Sequence, residues 1–472
     1  MDELTEFGWF WLPSNESRRF PGTLRFSTDG GGELTLHANP DVHDNLVDAS
    51  SPSRRVVGML EDDYVTLDRC FPVHTQFFGG TQRLSVGVVV KGACFDDDGD
   101  LEFNSISFEV DGAPEWIGRT AVERDWRHEP ADAMHYSLTL NPIPPETVGA
   151  PFGSVSLRYG WRTDGGDDAS QDSIHQMRRF ELQFDHLQPL DQLLRRASAV
   201  QDLVTIAANR QRRMHSLVVT HPGATRDDSS DAPLKRLDLL INNREGADPS
   251  VRTRSTDLLF TYEQLGGLAA VARWVVVRDE LRHPVDALMT VRYGRVGYLE
   301  SRFQNVVGAA EALHRVRFPN ELRPREEYRA FKRMLVKHVP SEHQEWLHSQ
   351  LQYSNEPRLL QRLRDLVAFG GDEAVALVGD AKAWSEEVRD VRNGFVHEPA
   401  RNTPVSSERV HYLSESLYFV LVLALLRECG YDHQVSQSIA THRQVDWVKE
   451  RLRATQATTT GHNEEPPDSL PD

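Results

Sequence analysis

The chain has 472 residues, enough for two or three domains that each bury a core, with 39 % hydrophobic and 26 % charged residues as in ordinary globular proteins. Its 53 Lys and Arg against 71 Asp and Glu leave a formal charge of −18, which excludes a broad, non-specific nucleic-acid binder, normally a basic protein. The three cysteines, Cys70, Cys94 and Cys429, lack CxxC or metal-ligand spacing, which excludes a disulfide framework and fits a reducing cytoplasm.

In chain order, the opening Met1-Asp2-Glu3-Leu4-Thr5-Glu6 is expected to carry no signal peptide. Phe7-Trp9-Phe10-Trp11 predicts a core strand in preference to a stacking platform. Leu24-Arg25-Phe26 and Leu34-Thr35-Leu36 flank Asp29-Gly30-Gly31-Gly32, a hairpin signal. Short runs of β-formers follow at 84–90, 102–110, 135–140 and 154–159, a series that predicts a sandwich or a closed sheet. Over 186–213 the period changes, and Leu190, Leu193, Leu194, Ala197, Val200, Leu203 and Val204 predict an amphipathic helix. Strands at 216–220 and 237–241 complete an N-terminal region over 1–243, and 244–255 reads as a linker.

The rest, 256–454, is predicted to be helical. A helix over 262–281 is set off by Pro284 from one over 297–317; others are expected at 324–338, 341–351, 357–368, 380–398, 406–429 and 434–453. The run Leu417–Leu426 reads as a buried helix too short to span a bilayer. Ser406 or Ser407 is the expected N-cap of its helix and Gly430 the stop. Residues 455–472 are expected to be a disordered tail. The fold class is therefore α+β, a sandwich-like β-rich region followed by an all-α bundle.

One stretch carries chemistry. In Val391-Arg392-Asn393-Gly394-Phe395-Val396-His397-Glu398-Pro399, the residues Trp384, Val388, Val391 and Phe395 make one apolar stripe at helical spacing. At about 100° per residue, Arg392, Asn393 and His397 fall on an arc of roughly 140° pointing away from it. Asn393 and His397 are one turn apart, and Pro399 stops the helix. Arginine holds phosphate through a permanently charged fork, histidine exchanges protons near neutrality, and asparagine orients either group or binds a ribose. The trio suits metal-free cleavage of an RNA phosphodiester. The plain alternative is a capping or surface histidine beside an exposed arginine. Arg-x4-His also occurs at Arg69/His74, Arg210/His215, Arg278/His283 and Arg333/His338. Arg278-Asp279…His283 is the closest rival, without the Asn and with Pro284 directly after its histidine.

Other candidates fall away. Asp96-Asp97-Asp98-Gly99-Asp100 fails as a calcium loop because its twelfth position is Ser107, not Glu, and it reads as a turn. His338, His343 and His348 do not share a helical face, and His433 and His442 lack partners at metal spacing. There is no GxxxxGK[ST] and no GxSxG. Arg315, Arg317, Arg323, Arg325, Arg329, Lys332, Arg333 and Lys337 cluster, and read as a solvated face.

Arg-Asn-x3-His at a helix end resembles the catalytic motif of HEPN-domain ribonucleases. Gly8-Trp9-Phe10-Trp11-Leu12-Pro13, Pro21-Gly22-Thr23-Leu24 and Val65-Thr66-Leu67-Asp68 resemble the opening of ApeA-type anti-phage proteins. Leu299–Phe303 and Ala310–Arg315 resemble the first helix of that family's HEPN core. The resemblance implies a cytoplasmic, metal-independent endoribonuclease without a cofactor, in which Arg392, Asn393 and His397 act on RNA and halt the infected cell. One imidazole does not readily serve as both base and acid, so two motifs facing across a homodimer, or within a higher homo-oligomer, are expected. The N-terminal region is assigned by elimination to sensing a phage product, and no membrane association is expected. The competing class is a HEPN module that dimerises and binds RNA or nucleotides without cutting; nucleotide transfer to a partner protein is a weaker rival.

Overall fold

Alternation of inward apolar and outward polar residues builds the first half of the chain. The computed structural model describes residues 3–27, 30–37, 54–61, 63–75, 81–96, 99–128, 134–164, 173–226, 233–242, 254–294, 297–397, 405–431 and 433–460. Two units divide it, Met1–Asp279 and Glu280–Asp472.

In the first unit, β1 (Glu3–Leu12), β2 (Asn15–Ser27), β3 (Gly31–Leu36), β4 (Arg54–Leu60), β5 (Tyr64–Thr75) and β6 (Gln82–Lys91) pair antiparallel in the ring β6-β3-β2-β1-β4-β5-β6. Phe10, Leu24, Phe26, Leu34, Val56, Val65, Leu67 and Leu84 fill this barrel. Closure removes the sheet edges that an open array would leave unpaired. The expected core strand at 7–11 is half right. Phe7 and Trp9 point outward and are about half exposed while Phe10 is buried, as a period of two demands. Trp11 is buried too, where the β1–β2 register shifts between Phe10 and Leu12.

After the barrel come β7 (Glu102–Val110), α1 (Ala113–Ile117), β8 (Val122–His128), β9 (Met134–Leu140), β10 (Glu146–Ala150), β11 (Gly153–Asp164), β12 (Ser173–Pro189), α2 (Leu190–Ala208), β13 (Met214–Thr220) and β14 (Leu237–Ile241). An open sheet β14-β13-β7-β12-β11-β10 leaves the barrel at β6, while β8 and β9 form a separate ribbon. The fork at β6 is written in its side chains. Gln82 to Val86 alternate buried and exposed where β3 is the neighbour. Val88, Val89 and Val90 are all buried where β14 replaces it, the pattern of a strand covered on both faces.

The unit continues past the expected boundary at 243–256. Residues 243–253, most of the expected linker, lie outside the described residues. Beyond them, α3 (Tyr262–Leu265) and α4 (Gly267–Glu280) are anchored in the first unit. The Trp274 Nε1–H donates to the Ala199 carbonyl at 2.7 Å, the Tyr262 hydroxyl donates to Glu146 at 3.0 Å, and Arg278 pairs with buried Asp202 at 2.9 Å. The division therefore falls at Asp279/Glu280. The single helix expected over 262–281 is broken by Gly266 and Gly267, both at positive φ (103° and 69°), which glycine alone adopts without strain.

The second unit is helical: α5 (Arg282–Tyr293), α6 (Leu299–Arg317), α7 (Arg325–Lys337), α8 (Ser341–Gln350), α9 (Leu359–Gly370), α10 (Asp372–Val378), α11 (Ala381–His397), α12 (Ser407–Glu428), α13 (His433–Ala440) and α14 (Arg443–Thr460). Pro284 was expected to separate helices. It lies instead in the first turn of α5, where the N–H it lacks would have no helical partner. The short α10 was not foreseen, the expected final helix is split into α13 and α14, and α14 continues to Thr460, into the stretch expected to be a tail. Residues 461–472 lie outside the described residues.

α12 is the centre of this unit. Between Arg409 and Leu426 every residue except His411 is buried. Its most apolar window has the length and composition of a membrane span, and 89 % of that window is packed inside the unit. Ser406 caps it, its hydroxyl accepting from the Arg409 N–H at 3.2 Å, and Gly430 follows at positive φ. Within this apolar helix Glu415 is buried. Arg292 of α5 grips it at 3.0 and 2.8 Å, and Arg302 of α6 lies 3.4 Å away. Burial pushes the Glu415 carboxyl upward, but the charge and hydrogen bonds of Arg292, with His411 and Arg302, outweigh it and hold it below its ordinary value.

Replacing Glu415 by Ala leaves Arg292 buried without its counter-charge and is expected to cost about 3–5 kcal/mol in the urea transition of this unit. A carboxyl lowered in the folded state contributes fully above its unfolded pKa of about 4.3 and is lost as pH falls through the lower folded value. Glu415→Gln is therefore expected to weaken the chain at neutral pH and to flatten its loss of stability below about pH 4.3, read by thermal melts across a pH series.

Candidate functional site

The motif helix α11 is fixed by its apolar side. Trp384, Val388 and Val391 are buried. The fourth member of the stripe, Phe395, is 37 % exposed and meets Phe303 of α6 edge-on at 6.0 Å. Three polar pins set the rotation of the helix. The Trp384 Nε1–H donates to Ser416 Oγ at 3.0 Å inside the core. Arg409 of α12 grips Glu387 through two hydrogen bonds of 2.5 Å and donates a third, at 2.8 Å, to the Leu452 carbonyl. Arg364 of α9 donates to Ser385 Oγ at 3.1 Å.

With that side held, Arg392 and Asn393 lie on the other face, both half-buried. They touch: Arg392 Nη1 donates to Asn393 Oδ1 at 3.3 Å. Gln304 of α6 approaches the same turn, its Nε2 donating to the Arg392 carbonyl at 3.5 Å. His397 is the last residue of α11, one turn beyond Asn393, and its side chain lies outside the described residues, as do Glu398 and Pro399. The arrangement offers one guanidinium, oriented by a neighbouring amide, at the end of a helix that ends in an imidazole-bearing residue. A guanidinium so held presents its remaining N–H groups to an anion in a fixed plane.

The rival pairs lack this arrangement. Arg333 and the C-cap His338 do share the end of α7, but Met334 and not an Asn follows the arginine, and Arg210 lies beyond the end of α2. Arg278 is committed to Asp202, and α4 ends at Glu280, so His283 sits on a different helix. Arg69 is ion-paired with Asp191 at 2.5 Å. Among the described residues, no group of three or more His, Cys, Asp or Glu is placed to hold a metal.

Two features escaped the sequence. Gln304 and Phe303 come to the motif from a helix far earlier in the chain, and although Leu299–Phe303 stands out by its resemblance, no local pattern says that either residue meets α11. The first unit holds a cavity of about 610 Å³ lined by Arg55, Asp68, Arg69, Asp100 and Asp191 among others. Arg55 is buried there, donating to Asp68 at 3.2 Å and to the Gly99 carbonyl at 2.7 Å. Its lining comes from five separate stretches, which is why no motif appears. Its two arginines and three aspartates nearly cancel, so the lining names no ligand.

The strand-rich unit is followed by a helical bundle that matches a HEPN domain, a class whose members are generally ribonucleases. A family model described as ApeA N-terminal domain 1 matches residues 6–274, and one described as Apea-like HEPN matches residues 304–435. The chain belongs to the ApeA-like family, for which a nuclease role in defence is the general assignment. No curated protein and no solved structure matches it. The first match ends inside α4, in keeping with the docking of α3 and α4 on the first unit.

Trp384→Phe keeps an aromatic ring but removes the N–H that Ser416 accepts. It is expected to cost about 1–3 kcal/mol, measured as a lowered urea midpoint with an unchanged slope.

Proposed function

We propose that this chain is a metal-independent endoribonuclease that acts in anti-phage defence, with Arg392, Asn393 and His397 as its catalytic residues. The observation that carries this reading is the Arg392–Asn393 hydrogen bond on the unburied face at the end of α11, in a HEPN domain. The ribose 2′-oxygen attacks the adjacent phosphorus, the bond to the 5′-oxygen breaks, and the products are a 2′,3′-cyclic phosphate and a free 5′-hydroxyl. One imidazole takes the 2′-hydroxyl proton while another donates a proton to the departing 5′-oxygen. Arg392 stabilises the added negative charge on phosphorus, which grows only as the transition state forms. Asn393 holds Arg392 in place or takes up the ribose.

Because base and acid must stand on opposite sides of the phosphorus, the working form is a homodimer, or a larger assembly of such pairs, in which two copies of the motif face each other. The first unit is the sensor, holding the nuclease off until a phage product meets it. The site of action is the cytoplasm, without membrane association.

His397→Ala is expected to lower RNA cleavage by about 10²–10⁴-fold. Arg392→Lys keeps a positive charge but loses the planar fork, and is expected to lower it by about 10²–10³-fold. EDTA leaves the wild-type rate unchanged, a DNA copy of the substrate is not cut, and end-mapping finds cyclic phosphates. Cleavage by His397→Ala at the wild-type rate would remove the assignment. Binding of RNA without cleavage by the wild type would leave a non-catalytic RNA-binding module.

A further inference from the structure

α7 and α8 differ from the rest of the helical unit because neither buries a residue. They are inserted between α6 and α9 and closed at the base by Asn355. Its carbonyl accepts from the Leu322 N–H at 2.8 Å, its Oδ1 accepts from the Arg323 N–H at 3.0 Å, and its Nδ2 donates to the Arg323 carbonyl at 2.9 Å. The Tyr328 hydroxyl donates to the Leu351 carbonyl at 2.6 Å. Tyr328, Phe331, Leu335 and Val336 are half-buried. The result is a helical hairpin tied at one end, with most of its surface in solvent.

The positive charge of the hairpin lies on α7, where Arg325, Arg329, Lys332, Arg333 and Lys337 outnumber Glu326 and Glu327, while α8 carries Glu342 and Glu345 beside Trp346, in a chain of net charge −18. Arg329, Arg333 and Lys337, all exposed, follow one another at i, i+4 and i+8, within an arc of roughly 80° on the helix, and half-buried Lys332 flanks that stripe, roughly 60° from Arg329 on the side of Tyr328 and Val336. Arg329 pairs with Glu326 at 2.7 Å. Lys332, Arg333 and Lys337 make no ion pair among the described residues. Like charges one turn apart destabilise a helix. The helix dipole compensates Lys337 in the last turn, but not Arg333 or Lys332. Packing does not call for Arg333 or Lys337, which are exposed. On α8, Trp346 is 64 % exposed, a flat face of the kind on which an unpaired base stacks.

We propose that the α7–α8 hairpin is an RNA-gripping arm. Lys332, Arg333 and Lys337 hold the phosphates of a single-stranded segment, and Trp346 stacks on one of its bases. This rests on the ribonuclease reading, and gives that substrate a hold on elements separate from the motif helix. A basic stripe confined to α7 lets an acidic protein engage RNA without binding every polyanion along its whole surface.

The test uses the full chain carrying His397→Ala, so that RNA stays intact, and fluorescence anisotropy with a labelled single-stranded RNA of mixed sequence over a salt series. Lys332→Glu/Arg333→Glu/Lys337→Glu is expected to weaken binding at least tenfold near 0.1 M salt and to make the log–log salt slope shallower by about 2, at roughly 0.7 per phosphate contact. Lys332→Arg/Lys337→Arg keeps the charge and binds like the parent. Trp346→Ala weakens binding by roughly five- to a hundredfold with the slope unchanged, since it removes stacking and no charge. Unchanged affinity and slope in the triple variant overturn the arm, and so does a change of its oligomeric state in place of its RNA affinity. Cleavage is assayed in parallel with His397 restored. Cleavage by the wild type together with arm-independent binding sinks the arm alone. Arm-dependent binding without any cleavage supports the arm and sinks the nuclease. Failure of every form to bind RNA sinks both.

Discussion

The rotation of α11 about its own axis decides which way Arg392 and Asn393 face, and α12 fixes that rotation. Trp384 is locked to Ser416, and Glu387 is locked to Arg409, which is itself tied to the Leu452 carbonyl. A turn of one residue would swing the unburied face by about 100° and carry Arg392 toward the core. Apolar contact alone tolerates such slippage, because burial is non-directional. A hydrogen-bonded indole and a two-pronged ion pair do not, because each loses its partner when the helix turns.

The same logic runs through the helical unit, where polar groups sit inside the core in closed networks. Glu415 is held by Arg292, whose guanidinium also lies 3.7 Å from the centre of the Tyr418 ring. His314 of α6 is buried between Arg362 and Asp365 of α9. Arg362 has only N–H donors, so His314 Nδ1 accepts at 3.0 Å, and Nε2 is left to donate to Asp365 at 3.0 Å. Burial holds this imidazole below its ordinary pKa, and the charge of Arg362 adds to that effect against the pull of Asp365. These pairs span α5–α12, α6–α12 and α6–α9, so each fixes the angular register of two helices. A wholly apolar bundle of this size would pack in several registers; unpaired buried charge makes the alternatives costly.

The strand-rich unit reaches its shape by other means. Six strands close on themselves through the β5–β6 pairing, and the open sheet branches from the second half of β6. Helices α3 and α4, drawn from the start of what reads as helical sequence, belong to it because Trp274, Tyr262 and Arg278 find their hydrogen-bond partners there. Composition changes near residue 256, but the structural division comes later, since packing and not helicity defines a unit.

Features that depend on neighbouring residues were legible in the sequence. The stripe of Trp384, Val388 and Val391, the cap at Ser406, the stop at Gly430 and the alternation through β2, β3 and β6 each follow from spacing and side-chain chemistry within a few residues. Where local rules conflict, the outcome was not legible. Pro284 breaks a helix interior but suits a first turn, and Gly266-Gly267 interrupts a stripe that otherwise continues. The sequence by itself determined the two-part division into strands and helices and the set Arg392, Asn393 and His397 on one helix end, because periods of two and 3.6 sort side chains without any distant contact. Only the tertiary structure decided that the strands close into a barrel, that α3 and α4 side with them, that Gln304 reaches the Arg392 turn, and that α7 and α8 stand outside the core. Each of those depends on which distant segment lies alongside, and that is set by the packing of the whole chain.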